Sequence, residues 1–412
     1  MALSQRECQP PSPYPEGMDR SELDALLTRE GLALLDSLDP VETAADVARA
    51  VSRLRAAGRS PDLVSAVVGQ VRLRQRGAVK FGALAERMLF TRAGLEQATR
   101  LTVATHHAER MRRAGIGRVA DLGCGIGGDA LAFAGLGIDV AAVDADEVTA
   151  ALAAYNLAAF RPGTTVTHGR AEDADLSSVD AAWLDPARRT AGHAETRRVA
   201  PSDYSPPLEW AFGLGDRVPT GIKLGPTHDR DALPDDAEAQ WVSADGSTVE
   251  LVLWSGALAR DGVRRAALVL RDGAAHELTA PGDTEDEPDR PLGAFVHEPE
   301  GSVIRARLVG DVARALDAGP IAPGIAYLTG DAAVTSPFVS SFRVRETLPA
   351  DVKGLGKALR ARGIGTLEIK KRGVDVDPAA LRRKLALRGD ESATLLLTRV
   401  GGRRLAILAD RV

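Results

Sequence analysis

The sequence predicts an α/β protein: a doubly wound, mostly parallel sheet with a helical domain before it and a small α+β domain after it. Three observations carry that expectation. Short apolar runs alternate with helical patterns from Arg118 to Leu224, the rhythm of strand, crossover helix and parallel strand. The first of those runs feeds a glycine-rich turn, Val119-Ala120-Asp121-Leu122-Gly123-Cys124-Gly125-Ile126-Gly127-Gly128-Asp129. From Ser21 to Arg113, by contrast, apolar residues recur only at helical spacing, while after Ala326 strands and helices mix.

The bounds agree with that picture. At 412 residues the chain is long enough for two or three domains with cores of their own. A composition 44% hydrophobic and 26% charged is that of a globular protein. The two cysteines, Cys8 and Cys124, sit in a polar tail and in the glycine turn, which argues against a disulfide framework. No apolar run reaches membrane-spanning length, and the N-terminus lacks the apolar stretch of a signal peptide. A cytoplasmic protein is expected, with no membrane partner and no metal. Net charge is −5, but Phe338–Val412 holds 17 Lys and Arg against 8 Asp and Glu. A basic module on an acidic body is either a footprint for a polyanion or a well-solvated surface.

In chain order, residues 1–18 are rich in Pro, Ser and Gln and read as a disordered tail. Residues 19–90 read as an N-terminal helical domain. Ser21-Glu22-Leu23-Asp24 opens like a capped helix, Pro40 and Pro61 punctuate it, and Val64, Val67, Val68 and Val71 form a buried stripe. This domain is either cover for its neighbour or a lid or substrate platform. The α/β domain is placed at 91–280. A helix carries His106 and His107, which project about 100° apart and so do not chelate one metal as i, i+4 ligands do. Both are expected to be half-exposed helix residues. Strands follow at Arg118–Ala120, Asp139–Val143, Thr164–Thr167, Asp180–Leu184 and Gly221–Leu224, with a helix over Glu147–Phe160. Two hairpin-like pairs flank Asp245-Gly246-Ser247 and Asp272-Gly273. Pro281–Pro291 is an acidic linker. Residues 292–412 form a C-terminal region: a strand at Phe295-Val296, a helix over Ser302–Leu316, a strand near Ala326–Leu328, and from about 338 an α+β module. Its helices are Val352–Arg362 and Pro378–Leu385, and its closing strands are Ala393–Val400 and Arg404–Ala409.

The glycine turn carries the chemistry. Gly123, Gly125 and Gly128 satisfy G-x-G-x-x-G, a pattern that dinucleotide-binding folds share. Asp121 separates the alternatives. A carboxylate there repels a pyrophosphate and attracts a cationic ligand end, such as the ammonium and sulfonium of S-adenosylmethionine. Asp144, at the end of the second strand and about 20 residues beyond the turn, is placed to accept both ribose hydroxyls. The loop Gly169-Arg170-Ala171-Glu172-Asp173 falls beside an adenine, and the fourth strand ends in Asp185-Pro186-Ala187-Arg188-Arg189.

Asp121-Leu122-Gly123-Cys124-Gly125, Asp144 and Asp185-Pro186 together resemble the class I S-adenosylmethionine-dependent methyltransferases. The chain from about Leu89 onward resembles bacterial members that carry a C-terminal THUMP-like domain. The stretches that carry this are Leu95-Glu96-Gln97-Ala98-Thr99, Leu184–Arg189, His297-Glu298-Pro299 and Leu367–Asp375. Leu89–Ala108 and Asp185-Pro186 are also similar to trimethylguanosine-synthase-type enzymes. The resemblance implies a Rossmann-like methyltransferase sheet and S-adenosylmethionine as cofactor. It assigns Gln97, Thr99, Asp121, Gly123, Gly125, Asp144, Ala171 and Glu172 to cofactor binding. It implies methyl transfer to an exocyclic amine of an RNA base, with Asp185 and the Pro186 carbonyl aiming the amine. Arg188 and Arg189 are candidates for a phosphate or are plain surface residues, and Lys370, Lys371 and Arg372 are candidate RNA contacts. Two departures stand out. The motif continues Asp185-Pro186-Ala187, without the aromatic that stacks on a target base, so an arginine plane or a distant aromatic such as Trp210 must substitute. Arg170 stands where an acid is common, which leaves adenine recognition to Glu172, Asp173 or backbone. A small-molecule methyltransferase and a non-catalytic cofactor-binding interaction protein are the alternative readings. The sequence does not specify the RNA, the atom methylated or the oligomeric state.

Overall fold

The computed structural model describes residues 18–159, 163–188 and 204–412. The chain divides into two compact units. The first runs to Ile222 and includes Gly256–Leu258, and the second comprises Lys223–Ser255 and Ala259–Val412.

The first unit opens with helices α1 (Arg20–Leu26), α2 (Arg29–Asp36), α3 (Ala44–Ala56) and α4 (Pro61–Phe81). Their starts are legible in local chemistry. Asp19 and Glu22 form a reciprocal capping box on α1, Thr43 and Asp46 do the same on α3, and Ser60-Pro61 caps and presets the first turn of α4. Leu23, Leu26, Leu35, Val64, Val67 and Val68 bury one stripe of each helix, and Leu89 and Leu152 from outside the helical segment belong to the same core. Each such side chain contributes roughly 1.5–3 kcal/mol by leaving water. The core of the N-terminal helices therefore extends to Leu89 and to α8 of the α/β layer.

Helices α5 (Arg92–Gln97) and α6 (Leu101–Arg113) lead into the sheet. Its strands in this unit are β1 (Arg118–Leu122), β2 (Asp139–Asp144), β3 (Thr165–His168) and β4 (Ala181–Leu184), joined through α7 (Gly128–Gly135) and α8 (Glu147–Ala158). A short antiparallel pair, β5 (Ala187–Arg188) with β6 (Tyr204–Ser205), and helix α9 (Leu208–Gly213) precede β7 (Thr220–Leu224). The order is β7-β4-β1-β2-β3, with every pairing parallel. The order reverses direction at β1, so the crevice beyond the carboxyl ends of β1 and β4 is where ligands bind in such sheets. Central strands β1 and β4 read as apolar runs because both faces are covered; Val119, Leu122, Trp183 and Leu184 are all fully buried.

The second unit begins with β8 (Glu238–Ala244), β9 (Ser247–Trp254), β10 (Arg265–Arg271) and β11 (Ala274–Ala280). Both expected hairpins are present. Asp245 and Gly246 (φ 51° and 75°) and Asp272 and Gly273 (φ 52° and 74°) turn them with left-handed residues, as the strand twist requires. A second sheet is built from β12 (Phe295–Pro299), β13 (Gly319–Pro320), β14 (Leu328–Gly330), β15 (Val339–Leu348), β16 (Ile364–Lys371), β17 (Glu391–Val400) and β18 (Arg403–Arg411). Its order is β13-β14-β12-β15-β18-β17-β16, antiparallel except between β16 and β17. The expected helix over Ser302–Leu316 is two helices, α10 (Gly301–Arg305) and α11 (Val309–Ala315), because Arg307 turns left-handed (φ 60°) between them. Helices α12 (Val352–Ala361) and α13 (Pro378–Leu385) cover one face of the β16–β17–β18 end.

Asn156 of α8 ties the first unit together. Buried at 3% exposure, it accepts from Leu89 N (2.7 Å) and donates to Leu89 O (3.0 Å) and Ile126 O (2.9 Å). Asn156→Leu keeps the volume and orphans three backbone groups, so denaturant unfolding is expected to show a loss on the order of 3 kcal/mol. A loss below 1 kcal/mol in that measurement shows that solvent reaches those groups.

Candidate active site

Register brings the site together. Leu122 lies opposite Val143 of β2 and Leu184 of β4, so the residues just beyond, Gly123, Asp144 and Asp185, stand side by side at the strand ends. A cavity of about 500 Å³ opens there. Lining it are Gln97, Thr99, Asp121, Gly123, Gly125, Asp144, Ala171, Glu172 and Asp185, all residues singled out from the sequence.

The turn itself has one workable conformation. Gly123 N and Cys124 N both donate to Val143 O (2.8 and 3.0 Å), and Gly125 N donates to Asp144 Oδ2 (2.8 Å). Gly123, Gly125 and Gly127 take φ of 92°, 55° and 86°, which other residues resist. Nothing lies within 4 Å of where a Cβ on Gly123 or Gly125 would stand, so the cradle is open on the cavity side. Asp121 is 2% exposed behind it. Asp129, Asp144, Asp146, Glu172 and Asp185 also line the cavity, against one cation among the described lining residues, Arg170. Arg170 is bonded to Glu172 (2.9 Å). Such a wall suits a ligand with a cationic end and disfavours a pyrophosphate.

Burial perturbs two groups at the mouth of the turn, Asp144 and Cys124. Burial pushes the Asp144 carboxyl above the ordinary aspartate value, against the opposing pull of N–H donors from Asp146 and Gly125. Cys124 is a buried thiol whose pKa is raised well above the usual range, first by burial and then by Asp121 and Asp144. It is no nucleophile at neutral pH.

Other side chains hold the walls. Lys80, at the end of α4, donates from Nζ to Leu95 O (2.8 Å), Glu96 O (2.8 Å) and Ala98 O (2.6 Å), fixing the end of α5 that delivers Gln97 and Thr99. Gln70 brackets Phe90, with Nε2 to its carbonyl (2.6 Å) and Oε1 from its N–H (2.9 Å). Thr99 Oγ1 donates to Asp129 Oδ2 (2.9 Å), so its hydroxyl organises the wall. His107 departs from the expectation of a half-exposed helix residue. It is 2% exposed, sits 2.9 Å from Asp129 Oδ1 and lies tilted at 32° against Trp183, with ring centroids 4.5 Å apart. The sequence carried one clue, an acid in the first turn of the helix after the glycines. Lys80, Gln70 and Asn156 left no local signal, because their partners are backbone atoms of distant segments.

Beyond Asp185, Pro186 is buried, and Ser205 and Pro206 line the cavity from the strand paired with β5, a contribution the sequence did not reveal. Trp210, half-buried on α9, does not line it. Trp183 does, fully buried under the floor. The side chain of Arg188 and all of Arg189 lie outside the described residues. Asp173 is not among the lining residues, which leaves Glu172 and backbone for an adenine edge. In the second unit, Lys370, Lys371 and Arg372 do not form one patch. Strand alternation sends Lys370 and Arg372 to Glu298, at 2.5 and 3.4 Å, and Lys371 to the opposite face. Glu298, Lys370 and Arg372 line a separate polar cavity of about 590 Å³. Among the described residues no cluster of His, Cys, Asp and Glu is arranged to hold a metal.

Two relatives from Mycobacterium tuberculosis strains, both described as S-adenosylmethionine-dependent methyltransferases, are each 36% identical over 371 residues, covering 86% of this chain and 97% of the relative. The chain belongs to the S-adenosylmethionine-dependent methyltransferases. A solved structure from Porphyromonas gingivalis W83, described as a methyltransferase, shares the fold at a TM-score of 0.70 with 20% identity, covering 90% of this chain and all of that one. Within the methyltransferase, a THUMP domain-like family matches residues 339–411, and a domain of unknown function (DUF8688) matches 19–77. The fit to S-adenosylmethionine rests on the open glycine cradle, the acid wall and Asp144 at the second strand end.

Asp144→Ala is expected to weaken S-adenosylhomocysteine binding by ~1–3 kcal/mol through lost hydrogen bonds, read by calorimetry. Because the Asp144 pKa is raised, acidification of the wild type is expected to weaken binding before pH falls to 3.8, the ordinary aspartate value. A flat profile down to that pH removes the carboxylate from ribose recognition. Lys80→Met is expected to lower the same affinity without contacting the ligand; unchanged affinity means the α5 end holds itself.

Proposed function

We propose that the methyltransferase acts on an exocyclic amine of an RNA base, with the THUMP-like module as the RNA platform. The observation that carries this reading is the shared cavity: Asp185, at the end of β4, lines the same space as the glycine turn at the end of β1. S-adenosylmethionine supplies a methyl group already activated by its sulfonium. What remains for the protein is alignment in a shaped pocket. Asp185 Oδ and the Pro186 carbonyl accept the two amine hydrogens and turn the nitrogen lone pair toward the reacting carbon. The nitrogen gains the N–C bond as the C–S pair returns to sulfur. The alkylated nitrogen would then carry a positive charge and lose its proton to solvent, so Asp185 orients rather than acts as a strong base.

The RNA part of the reading is supported by the THUMP domain-like match and by the excess of base in Phe338–Val412. In this reading Gln97, Thr99, Asp121, Gly123, Gly125, Asp144, Ala171 and Glu172 hold the cofactor. A cytoplasmic setting accords with the paucity of cysteine, and no described helix is long and apolar enough to cross a membrane.

Asp185→Ala is expected to abolish turnover while S-adenosylhomocysteine affinity stays within a few fold. An equal loss of both assigns Asp185 to the cofactor or to the fold. Mass spectrometry of nucleosides from cells with and without the gene is expected to show one methylated base lost from RNA. Unchanged RNA nucleosides, with a methylated small molecule lost instead, make the protein a small-molecule methyltransferase.

A further inference from the structure

Strands β16 and β17 end where β18 begins, and cations cluster there: Lys371 closes β16, Arg399 is the penultimate residue of β17, and Arg403 and Arg404 open β18. Lys371 lies opposite Leu397, Leu397 opposite Ala406, and Arg399 directly opposite Arg404. Leu367, Ile369, Leu395, Leu397, Ala406 and Leu408 all join the core under α12 and α13, which fixes that face of the three strands. Alternation then puts Lys371, Arg399 and Arg404 on the same face, past the last apolar residues. All three are exposed, and Arg403 follows the Gly401-Gly402 turn (φ 54° and 77°). With strands about 4.8 Å apart and Lys371 offset by two residues along them, the three cations fall within roughly 12 Å of one another.

Two features set this end apart. Among the described residues, Lys371, Arg399, Arg403 and Arg404 make no ion pair; Arg343 of β15 makes none either, while four other arginines in and beside the sheet are matched. Arg345 pairs with Asp410, Arg362 with Glu346, Arg411 with Glu368 and Arg372 with Glu298. Second, two like charges directly opposite across an antiparallel pair oppose the pairing itself. A hairpin kept for stability alone places an acid or a threonine at one of those positions. Gly373 adds a local reason for the geometry. Its φ is 69°, and a Cβ there would meet Ile325 Cδ1 at 2.3 Å and lie 3.5 Å from Arg399 Nε, so the chain leaves β16 close beneath the Arg399 side chain.

We infer that this strand end, Lys371 with Arg399 and Arg404 on one face, is the surface that grips the phosphate backbone of RNA. The inference rests on the RNA reading and moves its contact away from Lys370 and Arg372, whose charges Glu298 already engages. A polyanion relieves the Arg399–Arg404 repulsion and neutralises cations that form no ion pair among the described residues. Sequence discrimination is not expected here, because guanidinium and ammonium groups meeting phosphates position a nucleic acid without reading its bases.

The test is the salt dependence of binding of the full-length protein to a short, labelled single-stranded RNA of mixed sequence, followed by anisotropy. Each neutralised phosphate contributes about 0.7 to the slope of log K against log salt. Removing two contacts in the Arg399→Gln, Arg404→Gln double variant is expected to lower that slope by about 1.4 and affinity at 0.1 M salt by tenfold or more. S-adenosylhomocysteine affinity is expected to stay the same, and the melting temperature to hold or rise, since a like-charge pair is gone. The Arg345→Gln, Arg362→Gln double variant removes the same total charge from paired arginines and is expected to leave the slope unchanged. If wild type binds saturably and the 399/404 variant keeps its slope, or if both double variants lose it equally, this surface is overturned and the RNA reading stands. If wild type shows no saturable RNA binding, the RNA reading falls and this surface with it.

Discussion

Everything at the active site depends on where three backbone N–H groups point. Gly123 and Cys124 both donate to Val143 O, and Gly125 donates to the Asp144 carboxylate, so the turn after β1 is laced to the end of β2. This requires left-handed backbone at Gly123, Gly125 and Gly127, which is why glycine recurs there. It also requires β2 to end in register with β1, since Leu122 must lie opposite Val143 for the donors to meet that carbonyl. The same carboxylate therefore serves twice, as an anchor for the turn and as a group left facing the cavity. A loss at Asp144 mixes those two roles.

The opposite wall is held from farther away. Gln97 ends a short helix of six residues, too short to be stable alone, and Thr99 follows just beyond it. Lys80 satisfies three carbonyls around its end, and Gln70 and Asn156 clamp the strand-like approach at Leu89 and Phe90. Lys80 and Gln70 both belong to α4, the longest helix of the N-terminal layer, and that layer shares its core with α8. Of the two roles the sequence left open for the N-terminal helices, these bonds favour the supporting one: a rigid backing for the cofactor wall.

How much of the fold and site was legible depended on the range of each signal. The glycine turn, Asp144 and Asp185 were readable because turn chemistry and strand ends are local, and the parallel sheet came from the alternation of strand and helix patterns. The hairpins at Asp245-Gly246 and Asp272-Gly273 were readable for the same reason. The hidden features are long-range. His107 reads as a helix residue with a polar neighbour, and only the fold puts Asp129 and Trp183 against it. Lys370-Lys371-Arg372 reads as one basic cluster, but a strand splits consecutive residues between faces, and Glu298, seventy-odd positions away, engages two of the three. The break at Arg307 inside an otherwise helical pattern had no glycine or proline to announce it.

Cys124 has a consequence for how the enzyme meets oxidants. Its thiol sits in the glycine turn, where modification would wedge bulk into the cradle. Burial and two flanking aspartates hold it protonated. Peroxides and electrophiles attack the thiolate, so the residue is slow to form a sulfenic acid or a mixed disulfide. The carboxylates that tune the cavity for a cation thereby also shield the one sulfur among its described lining residues.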